Sequence, residues 1–259
     1  MIKIAIPDNP FYAPLLKNTE AVEKKYGVKF YKVSEQQCGE LLLANSVEMS
    51  LLTPLGYGMA VAQADYRVVT GPVAILHSYT ETAAIYFKEG AATIAKAASK
   101  TPDDFMMQAA IFILAEKYDL HPKLEKKNAS VPELLKEFDA AFAWGTDENA
   151  PVALDISEDW FDTFEIPLPL AFWTYRLDDP EHPDENLAEI IAELADEKLE
   201  AEQWIGEKLT DGAAFDARAG KIQWKWDDET EEAISAALHL LFLHLKIKEI
   251  PAVKIFGRD

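Results

Sequence analysis

Apolar and polar positions alternate at the start of the chain, give way to helical spacing, then return to alternation. Ile2, Ile4 and Ile6 are β-branched residues two apart, which predicts a strand that stops at the breaker run Pro7-Asp8-Asn9-Pro10. A helix is predicted through Leu15, Leu16 and Val22, closing at Gly27, a residue suited to a left-handed helix end. Residues 28–33 alternate again and read as a strand. Ser34 with Gln37 three residues on has the form of a capping box ahead of a helix over 38–44. The apolar run 49–52 is a short strand that ends at Thr53-Pro54, and a small-residue helix follows. Two more strands are predicted at 67–70 and 73–77. Strands alternating with helices predict an α/β fold with a mostly parallel sheet. Such sheets bind ligands at the carboxyl ends of their strands, which directs attention to the loops after Ile6, Leu52 and His77.

Further along, 82–87 reads as a strand and 91–96 as a weaker one. Ser99-Lys100-Thr101-Pro102-Asp103-Asp104 is a helix start: hydroxyls, a proline in the first turn, then acids. The helix that follows runs to about Tyr118. The strand 140–144 ends at Gly145-Thr146-Asp147-Glu148-Asn149. Acids and bulky aromatics fill 155–164, and 167–175 is extended. A polar linker over 177–186 precedes a long acidic amphipathic helix over 187–209, and a second helix covers 228–246. The sequence has no internal repeat and no low-complexity tract.

Charge narrows the function classes. Lys and Arg number 25 against 45 Asp and Glu, a formal charge of −20. Nucleic-acid binders need clustered cations, as does docking on anionic lipid, so neither partner is expected. The single cysteine, Cys38, leaves no internal disulfide and no cysteine-rich zinc site. No basic segment with an apolar stretch opens the sequence, and no apolar run approaches the ~20 residues of a membrane span, so a cytoplasmic protein is expected. The phosphate-loop, dinucleotide, zinc-protease and nucleophile-elbow motifs are all absent. Of the five histidines, His239 and His244 lie five apart on an apolar helix, off a common ligand face; His121 and His182 precede prolines in polar turns. No metal site is expected, and only His77, at a strand end, is a functional candidate.

The segment order resembles a known family. Ile6-Pro7-Asp8-Asn9-Pro10-Phe11-Tyr12-Ala13-Pro14-Leu15 looks like its first loop, and Glu48-Met49-Ser50-Leu51-Leu52-Thr53-Pro54-Leu55-Gly56-Tyr57 is similar to its acidic residue, strand, hydroxyls and tyrosine. Thr82-Ala83-Ala84-Ile85-Tyr86-Phe87 resembles the strand entering its second lobe. Phe142-Ala143-Trp144-Gly145-Thr146-Asp147 looks like an apolar strand ending in glycine-aspartate. The block from Asp155-Ile156-Ser157-Glu158-Asp159-Trp160 to Leu168-Pro169-Leu170-Ala171-Phe172-Trp173 carries the resemblance furthest. The family is the menaquinone-biosynthesis family of the futalosine pathway, which includes chorismate dehydratase and dihydroxynaphthoate synthase. The resemblance implies a two-lobed α/β fold of the type II periplasmic-binding-protein kind with a ligand cleft between lobes. Residues 1–82 with 176–259 would form one lobe and 83–175 the other. It also implies a cytoplasmic, cofactor-free lyase that removes water from chorismate. In the dehydratase-like members an asparagine stands three residues before the proline-leucine of the first loop. Phe11 stands there in this chain, and Asn9 is the nearest asparagine. The alternative is therefore a non-catalytic solute-binding protein for a small organic anion, as a transporter component or sensor.

An acid ligand must be held locally against the field of a −20 protein. Ser99 and Thr101 at a helix start are the best-placed hydroxyls for a carboxylate, or else a structural cap. Thr53 has the same two readings. Ser78 and Thr80 lie on the expected crossing between lobes, as lining of the cleft or as an ordinary polar turn. Arg176, one of four arginines, either binds a carboxylate in bidentate fashion or pairs with Asp178 or Asp179. Water elimination needs a proton acceptor, for which Asp8, Glu81 and Asp147 stand nearest to strand ends, with Asn9 orienting the substrate. Trp144 and Gly145 complete the strand-end candidates, the tryptophan as a cleft wall or as ordinary core.

Overall fold

The structure is a computed structural model. It describes residues 2–61, 64–151, 153–177, 186–206 and 218–258. The chain divides into two compact units, one of Met1–Ile75, Pro169–Gln203 and Gln223–Asp259, the other of Leu76–Leu168 and Trp204–Ile222.

The first unit begins β1 (Lys3–Pro7), a 3-10 turn (Pro10–Leu15), α1 (Thr19–Tyr26), β2 (Lys29–Val33), α2 (Glu35–Leu43), β3 (Met49–Leu52), α3 (Pro54–Ala60) and β4 (Tyr66–Ser78), whose residues from Leu76 on belong to the second unit. β1 pairs in parallel with both β2 and β3, as expected when each crossover carries a helix. The capping box of Ser34 and Gln37 opens α2, and Gly27 closes α1 in the left-handed conformation. The two strands expected at 67–70 and 73–77 are one strand. Gly71 does not turn the chain; a Cβ there would stand 3.0 Å from Ile191, and the Gly71 carbonyl accepts from the Trp226 amide at 3.1 Å. Close packing, not a bend, fills that position with glycine.

The second unit adds β5 (Ala83–Phe87), β6 (Lys96–Ser99), α4 (Phe105–Tyr118), β7 (Lys123–Lys126), α5 (Val131–Glu137), β8 (Ala140–Trp144), the short β9 (Leu154–Asp155) and α6 (Ile156–Phe164). Its five strands lie in the order β7-β6-β8-β5-β9. β6 pairs in parallel with β7 and β8, whereas β5 runs antiparallel to β8 and β9. Alternation sends Ala84, Tyr86, Ala98 and Ala141 to one face, where Val131, Leu134 and Phe138 of the α5 region cover them. α4 is apolar on most sides, in keeping with eight of its fourteen residues being buried.

The chain continues through β10 (Leu168–Arg176), α7 (Leu187–Leu194), β11 (Glu202–Gly206), β12 (Ala219–Lys225) and α8 (Thr230–Leu243). Seven strands form one sheet in the order β11-β12-β4-β10-β3-β1-β2, with β10 antiparallel to β3. The long helix expected over 187–209 is a short helix and then a strand; 207–217 lie outside the described residues. The reason is tertiary. Asn18 donates from its backbone to Leu194 O at 3.0 Å and from its amide to Glu193 O and Ala195 O at 3.1 and 2.8 Å. Those carbonyls, left unpaired where a helix ends, take a partner from another segment and α7 stops there.

Candidate functional site

In the second unit the connections leaving β6 and β8 diverge. The chain after β6 enters α4 on its way to β7, and the chain after β8 passes to β9 on the far side of β5. Two adjacent parallel strands whose exits part company leave a crevice at their carboxyl ends, the standard ligand position in open α/β sheets. A cavity of about 660 Å³ opens there. Its walls come from 99–101 after β6, 129–134 at the start of α5, and 142–149 after β8. That volume suits a metabolite-sized ligand.

Four residues singled out in the sequence, Ser99, Thr101, Trp144 and Asp147, line this cavity. Ser99 is buried at the end of β6, and its hydroxyl accepts from the Thr101 amide at 3.3 Å. Trp144, half-buried at the end of β8, donates from Nε1 to Asp104 Oδ2 at 2.9 Å. Burial pushes the Asp104 carboxyl up, while hydrogen bonds from Thr101 and Trp144 work against that shift. Gly145 bends the chain with φ of +69°, and its amide donates to Thr82 O at 2.7 Å. A Cβ at Gly145 would meet nothing within 4 Å, so the left-handed backbone alone calls for glycine. Asp147 is set by its neighbours: its amide donates to the Tyr86 hydroxyl at 2.7 Å, and its Oδ1 accepts from Asn149 N and Nδ2 at 2.9 and 3.1 Å. Sequence reasoning did not single out Ser130, Thr146 or Asn149, which complete the polar wall, nor Lys100, its cation. Lys100 stands between two residues that were singled out; Ser130 had a signal in the Ser-x-x-Glu box that opens α5.

Ser78, Thr80 and Glu81 gather at a second cluster in the same unit. Ser78 and Glu81 hold φ of 58° and 55°, uncommon for residues other than glycine. The buried Asp155 carboxylate pins this turn. It accepts from the Glu81 amide at 2.9 Å, the Ser157 hydroxyl at 2.7 Å and the Glu158 amide at 2.9 Å, the last capping α6. The Thr80 hydroxyl meets Ser157 Oγ at 2.6 Å and Thr82 Oγ1 at 2.9 Å. Burial raises the Asp155 carboxyl despite these donors. Gly220 closes over the turn: a Cβ there would stand 2.2 Å from Tyr79 O and 2.4 Å from His77 O. Tyr79 donates to Glu81 at 2.6 Å, which with burial raises its hydroxyl to about 12. The signal for Asp155 was present as Asp-x-x-Glu, a helix start.

The remaining candidates lie in the first unit and have local duties. Asn9 Oδ1 accepts from the Phe11 amide at 3.0 Å and caps the 3-10 turn. Asp8 is exposed and pairs with Lys32 at 2.8 Å. Thr53 caps α3 by accepting from the Gly56 amide at 3.2 Å. Arg176, at the end of β10, donates from Nη1 to Leu43 O at 3.3 Å; Asp178, Asp179 and His182 lie outside the described residues. Among the described residues no three His, Cys, Asp or Glu side chains gather as a metal site, and no helix is long and apolar enough to cross a membrane.

No family model matches the sequence, and no curated protein matches it. Solved structures do. The periplasmic aliphatic sulphonate binding protein SsuA from Escherichia coli has a TM-score of 0.56 at 10 % identity, over 100 % of this chain and 94 % of that one. An ABC transporter structure from Parabacteroides distasonis gives 0.57 at 10 %, over 100 % and 99 %. The alkanesulfonate-binding protein SsuA from Xanthomonas axonopodis pv. citri, bound to MOPS, gives 0.50 at 13 %, over 97 % and 96 %. At such identities the likeness establishes the fold: two mixed α/β units of the type II periplasmic-binding-protein kind, over the full length of the chain.

Proposed function

We propose that this chain binds a small organic acid without transforming it. The observation that carries the reading is the cavity beyond β6 and β8. It joins the Ser99 and Thr146 hydroxyls and the Lys100 ammonium to an apolar floor that includes Phe142 and Trp144, while the Thr101 and Ser130 hydroxyls beside them already serve Asp104 and Glu133. Hydroxyls and one cation suit a carboxylate or sulfonate, and the floor suits a carbon skeleton. The likeness to proteins described as sulfonate-binding adds support of a general kind.

The sequence resemblance to chorismate dehydratase supports a second reading, in which Asp8 and Asn9 serve elimination of water. Their contacts favour binding over catalysis. Asp8 is exposed to solvent and ion-paired with Lys32, and an asparagine carbonyl committed to a cap is not available to orient a substrate. The test is calorimetric titration with a panel of small carboxylates and sulfonates, alongside incubation with chorismate followed by mass spectrometry. Saturable binding weakened by Ser99→Ala and Thr101→Ala, with chorismate unchanged, supports the proposal. Enzyme-dependent loss of one water from chorismate replaces it with the lyase. Fractionation of the native host then separates a transporter component from an intracellular sensor.

A further inference from the structure

The same cavity carries more negative than positive charge. Its lining holds one cation, Lys100, and two carboxylates, Asp147 and Glu148, side by side in the loop after β8. Neither carboxylate has an ion-pair partner among the described residues. Asn149 engages Oδ1 of Asp147 through two donors, and among the described residues Oδ2 accepts no hydrogen bond. The cation, by contrast, shares its field: Lys100 is near enough to Glu133 to help hold that carboxyl below its usual range, after the larger contributions of the Ser130 amide and hydroxyl and of Lys136. The two signs also belong to different walls, Lys100 to the loop after β6 and the acids to the loop after β8.

A ligand carrying only acid groups would set half-buried Asp147 and exposed Glu148 against more negative charge across the cavity. An ammonium on the ligand reverses the sign of that interaction and gives Oδ2 of Asp147 a donor. We infer that the acid bound here is a zwitterion of the amino-acid or aminosulfonate class. Its acid group lies toward Ser99, Lys100 and Thr101, its ammonium toward Asp147 and Glu148, and its carbon skeleton on Phe142 and Trp144. This rests on the acid-binding reading above and adds the ammonium to it.

The test compares matched pairs by calorimetric titration: L-phenylalanine with 3-phenylpropanoate, L-leucine with 4-methylpentanoate, and taurine with ethanesulfonate. The expected result is that at least one ammonium-bearing member binds about tenfold or more tightly than its deaminated partner. Asp147→Asn combined with Glu148→Gln should then shrink that ratio to within about threefold. Deaminated acids that bind as tightly as their partners would overturn the zwitterion and leave the acid-binding reading standing. A preference that survives the double substitution would equally overturn the assignment of the ammonium to these carboxylates. Binding by no member of any pair would overturn both readings.

Discussion

Asp155→Ala should loosen the turn that holds Thr80 and Glu81, at a cost that follows from its three hydrogen bonds. The Glu158 amide loses its α6 cap, worth about 1 kcal/mol. The partly buried Glu81 amide is left without its acceptor, a further ~1–3 kcal/mol. Ser157 retains Thr80 at 2.6 Å and adds little. The sum is about 2–4 kcal/mol, or a fall in Tm of roughly 5–15 °C for a chain of this length. Asp155→Asn keeps a carbonyl for one amide and should cost about half as much. The pH dependence has a definite sign. Burial raises the folded-state carboxyl above 3.8, so its contribution is fully present below that value. Stability should fall as pH rises through the folded-state value, and Asp155→Asn should remove that part of the slope. The assays are urea unfolding followed by tryptophan fluorescence, and hydrogen exchange at the Glu81 amide, which should speed up in the alanine variant. An alanine variant within about 0.5 kcal/mol of the parent, with unchanged exchange at Glu81, would refute the reasoning.

Three further outcomes are expected. Trp144→Phe keeps an aromatic wall but removes the Nε1 donor from buried Asp104, and should lower stability by about 1–2 kcal/mol in thermal unfolding. Two glycine substitutions should separate strain from collision. Gly145→Ala should cost about 1–2 kcal/mol for its left-handed backbone, while Gly220→Ala, whose Cβ meets backbone at 2.2 Å, should cost more and reduce the yield of folded protein. Leu245→Gly should be neutral or stabilising by up to ~1 kcal/mol in chemical denaturation. Leu245 is 89 % exposed at φ of 57°, in a helix ending where Lys246 N reaches Leu241 O at 2.8 Å.

The local elements were legible because their signals are local. Two-residue alternation marked β1 and β2, the Ser34 box marked α2, Thr53-Pro54 marked α3, and the strand ending in Gly145 carried its turn in its own residues. The candidate site was legible in part: Ser99 and Thr101 stood out as hydroxyls of an expected helix start and Trp144 and Asp147 as residues at the end of an expected strand, and all four line the cavity, whereas the loops after Ile6, Leu52 and His77, to which the strand-end rule pointed, do not. What sequence alone could not separate was a strand-end residue that faces a cavity from one that serves its own backbone. Asn9 and Thr53 are caps, and Asp8 is a surface ion pair, with nothing in their spacing to set them apart from Ser99. Tertiary structure decided the rest. Asn18 ends α7 by taking carbonyls more than 170 positions away, and Asp155 reaches 74 positions back to fix the Glu81 turn. Position 71, inside a strand, takes glycine because a side chain there would meet Ile191. Strand order, which makes β6 and β8 neighbours with diverging exits, brings Lys100 and the two adjacent carboxylates to one cavity. Residues that lie tens of positions apart meet only after the sheet has formed, and the balance of charge that selects a ligand is a property of that meeting.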